Sequence, residues 1–386
     1  MARIVQFGQT AKGLHFVIRI ISTFLFVCLA LNSPAKAESA CLNPVFGVSG
    51  ISIDETATTA NEAQQIALKS AHQEAFAIVL NRLLVPSIDE MERYVPEQFV
   101  ELVHIRTENS LPGRYIAEID ICFSPQALRS LFAENQWEWA EINSPLVLVL
   151  PVYGDGAGTR AWQTSHPWIE RWRNMAQTAQ GLFQFTLLKP SLQNERQLRA
   201  EKILNAESDI LKRAAKRAKA EQILWASAFI SLVDDEPQLS MEALLFDKTG
   251  AQVANVSQSV LQGREAITGA AFDAFIANTI DRLETGWQKA NIRRQGVDNQ
   301  MTVRVRFQDH QDWIQKQVAL SKLPAIDKLS TLMLSYASQD NMSDSVAFKP
   351  EAIVLLEMNG SIDALRYGLA PLGLTLSFSD ELAVIE

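Results

Sequence analysis

The spacing of apolar residues changes several times along the chain, and each change marks a predicted element. Residues 46–54 alternate apolar with small or polar side chains, as a strand does. Thr58 or Asn61 can then cap a long helix to about Leu84, on which Ala60, Ala63, Ala67, Ala71, Ala75, Ile78 and Leu83 recur at helical spacing. Alanine along that stripe lets the helix lie close on a sheet. A shorter helix is predicted over 97–103, followed by a hairpin of strands 104–111 and 114–123 turned at Pro112-Gly113.

The run 145–151 is apolar without alternation, which suits a strand buried on both faces. After the glycine-rich loop 153–158, helices are predicted over 167–180 and 206–220. Strands follow at 222–232, 239–247 and 251–261, turned at Asp234-Asp235-Glu236 and Lys248-Thr249-Gly250, and a helix over 265–290 closes the unit. The polar stretch 291–300 reads as a linker. Beyond it the order is strand 301–307, helix 310–320, strands 328–336 and 352–359, helix 361–369 and strand 374–377, the β-α-β-β-α-β order of a ferredoxin-like split unit. The fold class expected is α/β (α+β) in three small modules, 41–143, 144–291 and 299–386, the last ferredoxin-like.

The amino terminus changes the setting. Arg3, Lys12 and Arg19 precede a short apolar run over 20–31 and the small-residue exit Ser33-Pro34-Ala35-Lys36-Ala37, the order of a secretory signal peptide cleaved after Ala37. That run is about a dozen residues, short of the roughly 20 that cross a bilayer as a helix. The glutamate of Glu38-Ser39-Ala40 before Cys41 argues against lipidation there. No later segment is long and apolar enough to span, so the expectation is a periplasmic chain without a transmembrane segment. Residues 1–37 carry four Lys or Arg and no acidic residue, so cleavage makes a chain of net charge −9 more acidic still. Such a chain lacks the basic footprint of nucleic-acid binding. Of three cysteines, Cys28 leaves with the signal. Cys41 and Cys122 are expected to join in an oxidising compartment, closing a loop that stabilises by roughly 4 kcal/mol; two separate buried thiols are the alternative.

Residues 215–250, a helix ending in small residues before an outer hairpin, resemble the amino-terminal domain of the periplasmic protein TolB and its relatives. Over most of the mature chain, the strand Gly50-Ile51-Ser52-Ile53-Asp54, the alanine-rich helix, Arg114-Tyr115-Ile116-Ala117, the strand end Leu148-Val149-Leu150-Pro151-Val152-Tyr153 and His166-Pro167-Trp168 resemble the exported proteobacterial family called domain of unknown function 2066. The resemblance implies location and approximate architecture; it brings no activity and no catalytic residue.

Candidate chemistry is sparse. His72, His104, His166 and His310 form no HxxxH or HExxH pair, and there is no CxxC or GxSxG, so no catalytic residue, metal ligand or cofactor is assigned. The loop 154–160 follows a buried strand, where open sheets bind ligands, yet it has Gly158-Thr159-Arg160 where a phosphate loop needs Gly-Lys-Ser/Thr. Asp155, Arg160, Trp162, His166, Trp168 and Trp172 form the candidate partner or ligand surface: indoles beside an arginine make a flat, half-wet anchor for a sugar, a peptide or a protein. The competing reading has these rings stapling loop and helix onto the sheet. In Gln136-Trp137-Glu138-Trp139-Ala140-Glu141 a helix end and domain joint with solvated glutamates is preferred over a carboxylate pair. Asp234-Asp235-Glu236 is read as a hairpin tip, since the spaced ligands of a calcium loop are missing. The expected function is a non-enzymatic periplasmic accessory or scaffold protein binding an envelope protein or glycan, and the alternative is a periplasmic hydrolase of an envelope glycan or peptide with its site near Asp155 and His166.

Overall fold

Thr59, rather than Thr58 or Asn61, begins the long amino-terminal helix, because its Oγ1 accepts the Glu62 N–H at 3.1 Å. The computed structural model describes residues 41–85, 93–263, 267–293, 300–336, 350–378 and 382–386; residues 1–37, where a signal peptide is expected, lie outside the described residues. Helix α1 (Ala60–Leu83) buries Ala63, Ala67, Ala71 and Ala75 against a three-stranded antiparallel sheet ordered β1 (Gly47–Thr56), β4 (Arg114–Phe123), β3 (Val100–Leu111). The hairpin turns at Gly113, whose φ of 69° favours glycine. The helix expected over 97–103 is only the single turn Pro96–Phe99. From Val100 the chain pairs with Phe123, so ladder bonds and β-branched valines override the helical spacing. Cys41 and Cys122 are joined, with Cα atoms 5.4 Å apart, because β1 pairs Gly47 opposite Cys122. A Cβ on Gly47 would collide with the Cys41 sulfur, so that strand start has room only for glycine.

After α2 (Pro125–Glu134) the strand pair β2 (Leu84–Val85) and β5 (Glu138–Trp139) ends the first unit. Here one expectation fails: Glu138 is exposed, but Glu141 is buried between Arg129, at 2.9 Å, and Arg293.

The middle sheet has six strands, ordered β11 (Gln252–Gln262), β10 (Glu236–Asp247), β9 (Gln222–Val233), β6 (Val147–Asp155), β7 (Gly158–Arg160), with β8 (Phe185–Thr186) also on β6. Strand β6 runs parallel to β9, and both its faces are covered. Val147 and Val149 face α3 (Pro167–Thr178) and α7 (Gly269–Ala290), whereas Leu148, Leu150 and Val152 face α5 (Ala200–Leu204) and α6 (Ser208–Ala218), which follow the short helix α4 (Leu192–Gln197). That two-sided burial is why the run shows no alternation. Asp234 and Asp235, at φ 51° and 63°, turn β9 into β10.

The last sheet is ordered β13 (Ile326–Ser335), β14 (Glu351–Met358), β12 (Gln300–Arg306), β16 (Ala383–Ile385), β15 (Leu376–Phe378), with α8 (His310–Ser321) and α9 (Ile362–Leu369) as its helices. The split-unit order is present with one addition. The terminal strand β16, which the short run Ala383–Ile385 did not announce, inserts parallel to β12 and displaces β15 to the edge.

The stretch read as a linker is tied down at its start. Asn291 is wholly buried, and its Oδ1 accepts from the Ser361 N–H at 3.1 Å and hydroxyl at 2.9 Å. Arg293 bridges Glu141 and Asp327, while 294–299 lie outside the described residues. One turn earlier, Trp287 packs against the first core, the last core and one of the two cores of the middle sheet, and donates its indole N–H to the Ile142 carbonyl at 2.6 Å.

Candidate functional site

Strand β6, the tight β7 hairpin and the start of α3 bring the sequence-predicted residues to one end of the middle sheet, but they divide between surface and core. Asp155 and Arg160 pair at 2.8 Å across the hairpin, and Arg160 also lies over the Tyr153 ring. Against burial, which pushes it up, the Ala157 N–H and the Arg160 guanidinium hold the Asp155 carboxyl below its ordinary value. Trp162 is half-buried and donates to the Leu198 carbonyl at 3.0 Å. Trp168 and Trp172 are not on the surface at all. Both are wholly buried, edge to face at 5.7 Å, with Trp168 also against Phe272 of α7. Their spacing of four puts them on the inward stripe of α3, so the stapling reading describes them.

His166 packs at a tilt against the Tyr153 ring, centroids 4.0 Å apart, and caps α3, its Nδ1 accepting the Trp168 N–H at 3.3 Å. Burial first, then Arg160, pulls its pKa below the ordinary histidine value, with Asp155 opposing. The unfolded chain therefore takes up the proton first. The stability that neutral His166 contributes is present above the unfolded value of about 6.5 and is lost as pH falls through it towards the lower folded value. His166→Asn keeps a capping acceptor without the titration. Its denaturation free energy, measured against wild type across roughly pH 5 to 7.5, should fall less on acidification; a constant difference between the two proteins would refute the assignment.

A recess of about 1100 Å³ was not visible in the sequence. It lies between the end of α1, the β2–β5 pair and α7, with Ile78, Leu84, Val85 and Ile292 on its apolar side and Asn81, Thr285 and Gln288 among its polar groups. Arg82 forms one wall. Its Nη1 donates to the carbonyls of Val45 (2.8 Å), Gly47 (2.7 Å) and Pro44 (3.3 Å), and its Nε donates to that of Gln180. Burial lowers this guanidinium to about 10, against the attraction of Glu284. Glu284 forms the facing wall, accepting the Leu182 and Phe183 N–H groups at 3.0 Å each. Burial raises its pKa, and those two N–H groups and Arg82 oppose the rise. A Cβ on Gly181 would strike the Glu284 carboxylate, so glycine is required where the loop crosses it. Both shifted groups spend their hydrogen bonds on backbone. The result is a fixed wall, apolar on one side and polar on the other, of the kind that orients a bound molecule.

No family model and no curated protein matches this chain. The resemblances read from its motifs therefore rest on those motifs alone. Among solved structures, lipoprotein GNA1162 from Neisseria meningitidis is 10% identical, with 36% of this chain and 96% of that chain covered and a TM-score of 0.24. The hypothetical protein CT253 from Chlamydia trachomatis is 14% identical over the same shares, also at 0.24. The LpoB C-terminal domain from Salmonella enterica is 19% identical, covering 31% of this chain and 84% of that chain at 0.20. Scores this low establish no shared fold.

Among the described residues, no group of three or more His, Cys, Asp or Glu is placed to hold a metal ion, and no helix is long and apolar enough to cross a membrane. Arg82, Gly181 and Glu284 escaped sequence reasoning because about 100 residues separate each from the next and no local motif joins them. A single arginine amid the apolar end of a predicted core helix was the one available signal.

Proposed function

We propose that this chain is a non-enzymatic accessory protein of the bacterial cell envelope, which works outside the cytoplasm and holds another envelope component, a protein or a glycan, in the recess beside Arg82 and Glu284. One observation carries the reading: the groups with the clearest pKa shifts around the recess and at the α3 cap are used as fasteners. Arg82 and Glu284 bind loop backbone, and His166 caps a helix. A site whose titratable groups are committed to rigidity favours binding over proton transfer, which needs a base free to reach its substrate. The Cys41–Cys122 bond suits an oxidising compartment, in keeping with the signal-like residues 1–37.

A photo-crosslinking side chain at Thr285, inside the recess, tests this in intact cells, with exposed Gln65 on α1 as the control position. The expected result is a discrete adduct with one envelope component from Thr285 and none from Gln65. Absence of that adduct, or release of fragments from purified envelope glycan or peptide by the native chain, would overturn the reading in favour of the hydrolase.

A further inference from the structure

A second recess, of about 450 Å³, lies where the end of α6 meets the β10–β11 turn and Pro371 of the tight turn after α9. Lys212, Lys216, Lys219 and Lys248 line it, with one carboxylate, Glu221, which pairs with Lys248 at 2.7 Å. Four ammonium groups around one paired carboxylate make this spot strongly positive on a chain of net charge −9. Local rules do not favour the arrangement. Lys212 and Lys216 stand four apart on one helix face, where like charges repel. Lys219, directly after α6, is left-handed at φ 53° and ψ 36°, a position that favours glycine. Attraction to the helix carboxyl end accounts for Lys216 and Lys219, and the Glu221 pair for Lys248, but neither accounts for Lys212, which lies before the last turn of α6. Local penalties gathered at one recess are what a binding site leaves behind.

We propose that this recess is an anion site for a phosphate-bearing group of headgroup size, its lysines acting as point charges on the phosphoryl oxygens. Such a group arrives either on a soluble phosphorylated molecule or on a lipid headgroup.

Calorimetric titration of the full chain with pyrophosphate tests the site. Wild type binds, more weakly as salt rises. Lys216→Gln and Lys219→Gly each weaken binding roughly fivefold, whereas Lys69→Gln on α1 changes nothing. Lys219→Gly is the decisive variant: it relieves the left-handed backbone, so its Tm stays level or rises while affinity falls, which separates binding from folding. A second arm replaces pyrophosphate with phosphatidylglycerol vesicles in a sedimentation assay. Binding to both, lost in the same variants, assigns a lipid headgroup; binding to pyrophosphate alone assigns a soluble phosphate. No binding of pyrophosphate by wild type, or binding that Lys216→Gln and Lys219→Gly leave unchanged, overturns the site.

Discussion

Arg82→Leu is expected to destabilise the protein by about 3–5 kcal/mol, the cost of removing one partner from a buried charged network. Leucine fills much of the volume but donates nothing. The carbonyls of Val45 and Gly47, at 2.8 and 2.7 Å, lose their donor, and so do those of Pro44 and Gln180. Each buried carbonyl left unpaired costs roughly 1–3 kcal/mol before relaxation and water entry reduce the total. Glu284 would also lose the positive charge that opposes its desolvation, so its carboxyl should titrate at still higher pH. Arg82→Lys keeps the charge but not the fork of donors, and should fall between the two. Urea unfolding of the three proteins checks the order. If Arg82→Leu costs under about 1 kcal/mol, the wall is not the fastener described here.

Trp287→Ala should be comparably severe, about 3 kcal/mol, and should change the shape of unfolding as well as its midpoint. The ring is half-buried, but it touches the first, middle and last cores together, at 6.3 Å from both Phe183 and Tyr367, and its N–H holds the Ile142 carbonyl. Alanine leaves a gap shared by three packing units. The remaining ties, such as Gln288 donating to the Arg82 carbonyl at 2.8 Å and Asn291 holding Ser361, are polar and exchange more readily with water. Calorimetry should therefore resolve a single wild-type transition into at least two in the variant. One sharp transition at an unchanged midpoint would show that the cores are coupled elsewhere. Trp287→Phe, which keeps the ring without the N–H, should lose less and remain cooperative.

Elements whose period matched their burial were legible from the residues alone. The alanine stripe of α1 predicted its own contact face, the unbroken apolar run of β6 predicted burial on two sides, and Pro112-Gly113 predicted its hairpin. The helix read over 97–103 failed for a physical reason: side-chain spacing was outweighed by a ladder of hydrogen bonds to β4, a strand that lies later in the chain. Trp168 and Trp172 were legible as one helix face but not as an inward face, because an indole stripe looks the same whether it meets solvent or α7.

By itself the sequence determined most of the longer strands and helices, the acidic balance of the chain and the two cysteines available to be joined, because each depends on residues near one another or on counts. Tertiary structure alone decided the recess at Arg82 and Glu284, the burial of Glu141 and the three-way joint at Trp287. Each depends on backbone or side-chain groups brought together from distant parts of the chain. A buried charge is tolerated only where such partners converge, and no spacing along the chain records that convergence.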